Sequence, residues 1–293
     1  RQRQMCIRDR DIVKRIAVYG VWAVYFGVAL FCQLVAPNRF HIVFFAFPVN
    51  VALLSLVGVS LWILYKEKPH SRLAILLSAP ITTFLLVAVS LLTFLVMGFT
   101  SWLTSASWWL FFVLTALSAN LLFVIFRGFR KDRPYRLRFL FNHIGLFLAL
   151  VCGFAGSADT RQWRLRVSGD EVTHEVFSPD GERARWRQGI KLEKFTVAYN
   201  LDGMPDSYEA RLMVDDKEVS LRVNEPYALS LVDDLYLVDY EHVSEGETVG
   251  YCILEIVRQP WKYMQWVGIC MMMLGSVLLF AQGVPLSERR KTP

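Results

Sequence analysis

The chain reads as a polytopic α-helical membrane protein of about six spans, with one extracytoplasmic antiparallel β-rich domain between spans five and six. Three observations predict this. The 293 residues are 54% hydrophobic with a mean hydropathy of +0.35, which puts them in the membrane class. The apolar residues gather in stretches long enough to cross a bilayer. Between the fifth and sixth stretches, about a hundred residues switch to period-2 alternation.

A span needs about 20 apolar residues, and the candidates run roughly over 16–36, 42–65, 73–98, 107–126, 139–157 and 262–282. Their interiors hold no Asp, Glu, Lys or Arg. Basic loops alternate with nearly charge-free ones. Lys14 and Arg15 precede the first span, and Arg39 alone separates spans one and two. Lys66, Lys68 and Arg72 follow the second, and loop 99–106 is uncharged. Arg127, Arg130, Lys131, Arg133, Arg136 and Arg138 lie between spans four and five, and Arg289, Arg290 and Lys291 follow the sixth. The positive-inside rule then puts both termini in the cytoplasm and residues 158–261 outside. The net charge of +6 is accounted for by these loops and is no sign of nucleic-acid binding. Pro48 and Pro80 fall inside spans two and three, where they are expected to kink the helices.

The expected division is therefore a five-span region over 11–157, a β domain over 158–261, and a final span with a cytoplasmic tail over 262–293. Residues 1–10, Arg-Gln-Arg-Gln-Met-Cys-Ile-Arg-Asp-Arg, have no periodicity and no signal pattern. They read as a non-native leader, Cys6 included.

In the outer domain the alternating pairs and triplets are Phe195, Val197 and Tyr199; Leu212 and Val214; Val219, Leu221 and Val223; and Cys252, Leu254 and Ile256. Asp180-Gly181, Asp202-Gly203, Asp215-Asp216 and Gly246 punctuate them. This is the pattern of antiparallel strands with one buried face. Asn224-Glu225-Pro226-Tyr227 reads as a strand end and turn. His174 and His242 stand alone, with no catalytic or zinc spacing around them, and no catalytic residue is assigned. Of the cysteines, Cys32, Cys152 and Cys270 read as small buried hydrophobes.

One residue breaks the apolar pattern. His143 is the only histidine well within a span, five residues past Arg138 and so about 7 Å below the cytoplasmic boundary at about 1.5 Å per residue. An ionisable side chain in a membrane is a functional candidate by default. A neutral imidazole there either ligates a metal or a haem iron or hydrogen-bonds across helices as a structural group. Gly145 nearby would let a flat ring or a neighbouring helix approach, and Asn120 and Asn142 read as interhelical glue. The basic loop 127–138 sets topology, or pairs with haem propionates or anionic lipid.

Three stretches resemble the ResB (CcsB) family of System II cytochrome c biogenesis. The first is Ser107-Trp108-Trp109 through Asn120-Leu121, followed by the basic loop. The second is Asn142-His143-Ile-Gly145 through Gly153. The third runs from Lys191 through Ser207-Tyr208 and Val223-Asn224-Glu225-Pro226-Tyr227 to Tyr251 and Pro260-Trp261, returning into a span at Gly268–Phe280. The resemblance covers roughly 100–283. It implies a ResB-like component in the bacterial inner (cytoplasmic) membrane, with a periplasmic domain, taking part in haem transport and in haem delivery to apocytochrome c. The implied partners are a CcsA/ResC-type membrane protein and a thioredoxin-like thiol reductant. By position, His143 matches the family's membrane histidine, an axial ligand of a transient b-type haem shared with the partner. The chain lacks the tryptophan-rich WWD segment of the fused form, because Trp108-Trp109 belongs to a span.

Whether such a chain is a non-catalytic or a co-catalytic subunit of a haem lyase is left open by its residues. Two other classes compete. A membrane-anchored binding or scaffold protein would need fewer spans. A secondary transporter would need intramembrane carboxylates.

Overall fold

The computed structural model describes residues 20–37, 40–129, 136–199, 205–241 and 249–282. The leader 1–10, Lys14, Arg15, Arg39, the loop residues 130–135, the turns at Asp202-Gly203 and Gly246, His242 and the basic tail lie outside them. The chain forms two compact units, one of residues 1–158 with 263–293 and one of residues 159–262.

In the first unit the helices are α1 (Gly20–Val35), α2 (Val49–Glu67), α3 (Arg72–Ser78), α4 (Pro80–Phe99), α5 (Trp108–Phe129), α6 (Arg136–Ser157) and α7 (Lys262–Gln282). Five of them, α2, α4, α5, α6 and α7, are long and apolar enough to cross a membrane. The first of the six expected spans is represented by α1, which is shorter within the described residues. The many exposed large side chains on these helices, such as Phe84, Leu92 and Phe280, are those a bilayer would solvate.

The two prolines act differently from the expectation that they kink helices. Pro48 is the N-cap of α2, and Pro80 is the first residue of α4. Proline has no N–H, and the first turn of a helix has no use for one. Ala79, pushed out of the α region by the following proline, has φ −71° and ψ 129°. The expected span 73–98 is thus broken into α3 and α4.

A broken helix frees carbonyls that lipid cannot satisfy. Asn120, buried on α5, meets this need. Its Nδ2 donates to the Leu77 carbonyl at 2.7 Å, and its Oδ1 accepts from the Thr83 hydroxyl at 3.1 Å. The reading of Asn120 as interhelical glue holds. Asn142 differs, because its Nδ2 donates within α6 to the Arg138 carbonyl.

Helix α5 receives bonds of the same kind from α1. The Trp109 N–H, one of the orphan donors at a helix start, donates to Gln33 Oε1 at 3.3 Å. The Trp108 indole donates to the Ala36 carbonyl just past α1, and the Tyr25 hydroxyl to the Phe112 carbonyl. The Trp109 indole donates to Thr93 of α4 at 2.8 Å. Separately, Asn50 of α2 donates to the Ala155 carbonyl of α6.

The second unit is a single eight-stranded antiparallel sheet. Its strands are β1 (Arg161–Ser168), β2 (Thr173–Phe177), β3 (Arg183–Tyr199), β4 (Pro205–Val214), β5 (Lys217–Arg222), β6 (Tyr227–Ala228), β7 (Asp233–Tyr240) and β8 (Tyr251–Arg258). Their order is β5-β4-β3-β2-β1-β8-β7-β6. The outermost strands, β5 and β6, are consecutive in the chain and are joined through Val223–Pro226. The sheet therefore curls until its edges meet. One core results, containing Leu165, Val176, Leu212, Leu221, Leu235 and Leu254, all essentially inaccessible. Asn224 (φ 66°) and Asp215 (φ 52°) take the left-handed conformations of the tight turns, which Asn and Asp tolerate better than most residues.

The expected alternation holds for Leu212, Val214, Val219, Leu221, Cys252, Leu254 and Ile256, all buried. Val223 is exposed because the chain is already turning there. In β3 the parity flips. Ile190 and Leu192 face inward, then a register shift between Leu192 and Lys194 brings Phe195 against the same core. A bulge of one residue does this.

Asp233, nearly buried at the start of β7, receives two bonds from Arg258 at 2.7 and 3.1 Å and one from the Ser230 hydroxyl at 2.8 Å. Burial pushes its carboxyl up, but the bonds from Arg258 and Ser230 and the adjacent positive charge outweigh that and hold it below the usual carboxylate range. A depressed carboxyl stabilises the fold above its unfolded value, about 3.9, and loses that contribution as pH falls through the folded value. Hydrogen exchange of the β8 amides in the full chain should therefore speed up as pH drops below about 4, after correction for intrinsic exchange rates. Asp233→Asn should flatten that dependence. In the membrane unit, Asn120→Leu should lower stability by roughly 1–2 kcal/mol, read by detergent-titrated unfolding, with Thr83→Val costing less.

Candidate functional site

His143 sits at the start of the third turn of α6, half-buried. Its Nδ1 lies 2.8 Å from the Phe139 carbonyl oxygen one turn back. A carbonyl only accepts, so Nδ1 carries the hydrogen. In the neutral ring, Nε2 then holds the free lone pair. The same arrangement orients histidine ligands in metal sites. The Phe139 ring stacks on the imidazole at 3.9 Å between centroids, tilted by 26°. Phe139 is itself pressed against Gly128 of α5, where any Cβ would collide with its ring. Gly128 and Phe139 thus set where His143 stands. Neither was legible as a site residue, since a glycine at the end of a span and one phenylalanine among 21 carry no local signal.

Gly145 resolves to one of its two expected uses. A Cβ there would lie 2.7 Å from the Gly268 carbonyl oxygen and 2.8 Å from the Met272 nitrogen, so the space belongs to a neighbouring helix, α7. Gly268 is equally tight, 2.6 Å from the Ala149 nitrogen, and a Cβ at Gly275 would lie 2.7 Å from the Asn142 amide. Asn142, Gly145 and Ala149 therefore form the face of α6 that meets α7, by the small-residue packing that lets membrane helices approach.

His143 lies on another face. With Phe147, Val151 and Phe154 it forms a stripe at helical spacing. The last three line a cavity of about 500 Å³ between α2, α5 and α6, otherwise walled mainly by apolar side chains and carrying the polar groups of Asn50, Ser55, Thr115 and Ser118. His143 is one turn beyond Phe147 and is not part of the wall. The structure therefore separates His143 from Asn142 and Gly145 rather than gathering them into one pocket.

Elsewhere the candidate groups have local roles. His174 Nδ1 donates to the Trp186 carbonyl at 3.3 Å. Cys152 is buried and Cys32 half-buried, but Cys270 is exposed on α7, contrary to the expectation of burial. Its thiol faces outward from an apolar helix, where lipid rather than protein would surround it. Cys252 is fully buried in β8, and burial pushes its thiol up to about 12. It is therefore a thiol and not a thiolate at neutral pH, unsuited to disulfide exchange. Among the described residues no group of three or more His, Cys, Asp and Glu could hold a metal ion. Of the basic loop, Arg127 lies in the last turn of α5 and Arg138 in the first turn of α6, and residues 130–135 are outside the described residues.

A leucine at position 145 has no room beside α7. Gly145→Leu should cost about 1–3 kcal/mol as overpacking and lower the thermal midpoint of the detergent-solubilised chain, whereas Gly153→Ala, where a Cβ would meet only the Gln265 side chain at 3.1 Å, should cost much less.

The model of the ResB-like family matches residues 130–250. A solved structure of the cytochrome c heme lyase CcmF aligns with 78% of this chain and 38% of its own, at 13% identity and a TM-score of 0.37. The chain thus spans well under half of that protein's length. No curated protein matches the sequence.

Proposed function

We propose that this chain, whose residues 130–250 match the model of the ResB-like family, is a membrane component of cytochrome c maturation, handling haem with a CcsA/ResC-type partner and passing it to apocytochrome c. The observation that carries this reading is the state of His143. It is an imidazole within a membrane helix, with Nδ1 committed to the Phe139 carbonyl and Nε2 left to coordinate. A histidine that would bind haem iron through Nε2 needs that tautomer.

His143 would hold the haem through Nε2, and the group would supply the iron porphyrin to be attached. What this chain contributes is orientation. The carbonyl of Phe139 holds the ring in one tautomer, its aromatic face fixes the ring plane, and Gly128 gives Phe139 its place. His143 is only half-buried, so the group would have access to its ring. The α6–α7 packing at Gly145 and Gly268 ties the histidine-bearing helix to the helix that returns from the β unit.

The reading places both termini in the cytoplasm and the β sheet on the periplasmic side, following the basic loops at Lys66–Arg72 and Arg127–Arg138. Thioether attachment needs reduced cysteine thiols on the apocytochrome. Cys252 is the one cysteine of the sheet unit and is buried as an inert thiol. A thioredoxin-like protein is therefore assigned the reducing step, and this chain a supporting role in attachment.

The test is an absorption spectrum of the purified chain, alone and co-purified with its CcsA/ResC-type partner, for wild type and His143→Ala. A Soret band with reduced α and β bands, diminished several-fold in His143→Ala, is the expected outcome. Equal haem content in the variant, or none in the intact complex, would overturn the ligand assignment and favour a scaffold role.

A further inference from the structure

The turn between β6 and β7 presents an apolar side chain that the fold itself does not use. Leu231 is 75% exposed, the highest value for any large hydrophobic residue described in residues 159–262, where the next is Val172 at 56%. The turn is not loose. Ser230 Oγ accepts from the Val232 and Asp233 N–H groups at 3.1 Å each and donates to Asp233 Oδ2 at 2.8 Å. Asp233 is clamped in turn by Arg258. Leu229, two residues before the tip, packs on the sheet core. Leu231 is thus held outward on a hydrogen-bonded support, where hydrophobic collapse onto its own domain is denied to it.

The position of this tip along the chain says what surrounds it. The Val232 carbonyl accepts from the Gln259 N–H at 2.7 Å, and the Asp234 carboxylate accepts from Lys262 Nζ at 2.7 and 2.8 Å. Lys262 is the first residue of α7, a helix long and apolar enough to span a bilayer. Gln259 is three residues before it, at most about 10–11 Å along the chain. Trp261 and Lys262 at this junction are residue types that sit at the headgroup level. The tip is therefore tied to the residues that lead directly into α7.

We propose that the β6–β7 turn is a membrane-interface anchor, with Leu231 inserted among the lipid headgroups and upper acyl chains next to the start of α7. Its ligand is the lipid surface rather than a protein groove. This holds whichever side of the membrane the sheet occupies and does not depend on haem, so it can fail or stand separately from the proposed function.

The experiment places an environment-sensitive fluorescent amino acid, dansylalanine, at position 231 of the full chain reconstituted in phosphatidylcholine vesicles. A second protein carries it at Asp216, an exposed turn residue between β4 and β5. The expected result at 231 is a blue-shifted emission, quenched by phosphatidylcholine spin-labelled near the headgroup several-fold more strongly than at 216, and weakly quenched by aqueous iodide. Emission and iodide quenching equal to those at 216 would overturn the proposal. So would a probe shielded from both quenchers, which would mean a protein covers the turn. Because Leu231 is a surface residue, circular dichroism of both labelled chains should match wild type. Should the label at 231 disturb the fold, the unlabelled wild-type chain supplies a second reading. The amides of residues 230–232 should exchange several-fold more slowly in vesicles than in a short-chain detergent micelle, and equal rates would count against the anchor.

Discussion

The membrane unit depends on one constraint, that a bilayer offers a backbone no hydrogen-bond partners. Every interruption of a helix must be mended by the protein, and α5 is where most of the mending is done. It supplies Asn120 to the carbonyl freed at the α3–α4 break and a tryptophan indole to the carbonyl just past α1, and it takes a glutamine oxygen at its own first turn. These bonds run from side chain to backbone across helices, so each ties a neighbour to α5 at a defined height. Van der Waals packing alone would leave the helices free to slide, because lipid tails are as apolar as the residues they touch. Aromatic packing of Tyr25 and Phe26 onto Phe112 and Trp109 then fills the space between anchors.

The α6–α7 pair solves the opposite problem. Where α5 uses polar side chains as ties, α6 and α7 use missing side chains, approaching until Gly145 and Gly268 leave no room for a Cβ. The two faces of α6 are consequently separate in purpose. One is a close-packed seam and the other begins at His143 and continues into the wall of the cavity. His143 is thus carried on a helix whose rotation is fixed by the seam behind it.

The apolar stretches, the β alternation at Leu212–Val214 and Cys252–Ile256, and the oddity of His143 were legible because each rests on a short-range period or a single misplaced residue. Pro48 and Pro80 were legible as irregularities but not as helix starts. The distinction depends on whether a partner such as Asn120 waits at the break, and that partner is some forty residues away in sequence. In the long strand β3, a period-2 count runs true only until the bulge after Leu192 reverses it. The Gly128–Phe139–His143 contact was invisible for a related reason. It joins the end of one helix to the start of the next, and composition says nothing of which phenylalanine will meet which glycine.

The strands that connect the sheet to the membrane helices, β1 and β8, are interior neighbours, fifth and sixth of the eight in order. β1 and β8 pair without a break from Arg161 with Arg258 to Ser168 with Tyr251, and each is joined to its helix, α6 or α7, by three residues. Because Arg161 opposes Arg258, both connections leave from the same end of the ladder, and a force that separates that end opens its hydrogen bonds one pair after another rather than all at once. The Arg161–Arg258 end is therefore where the ladder would yield first.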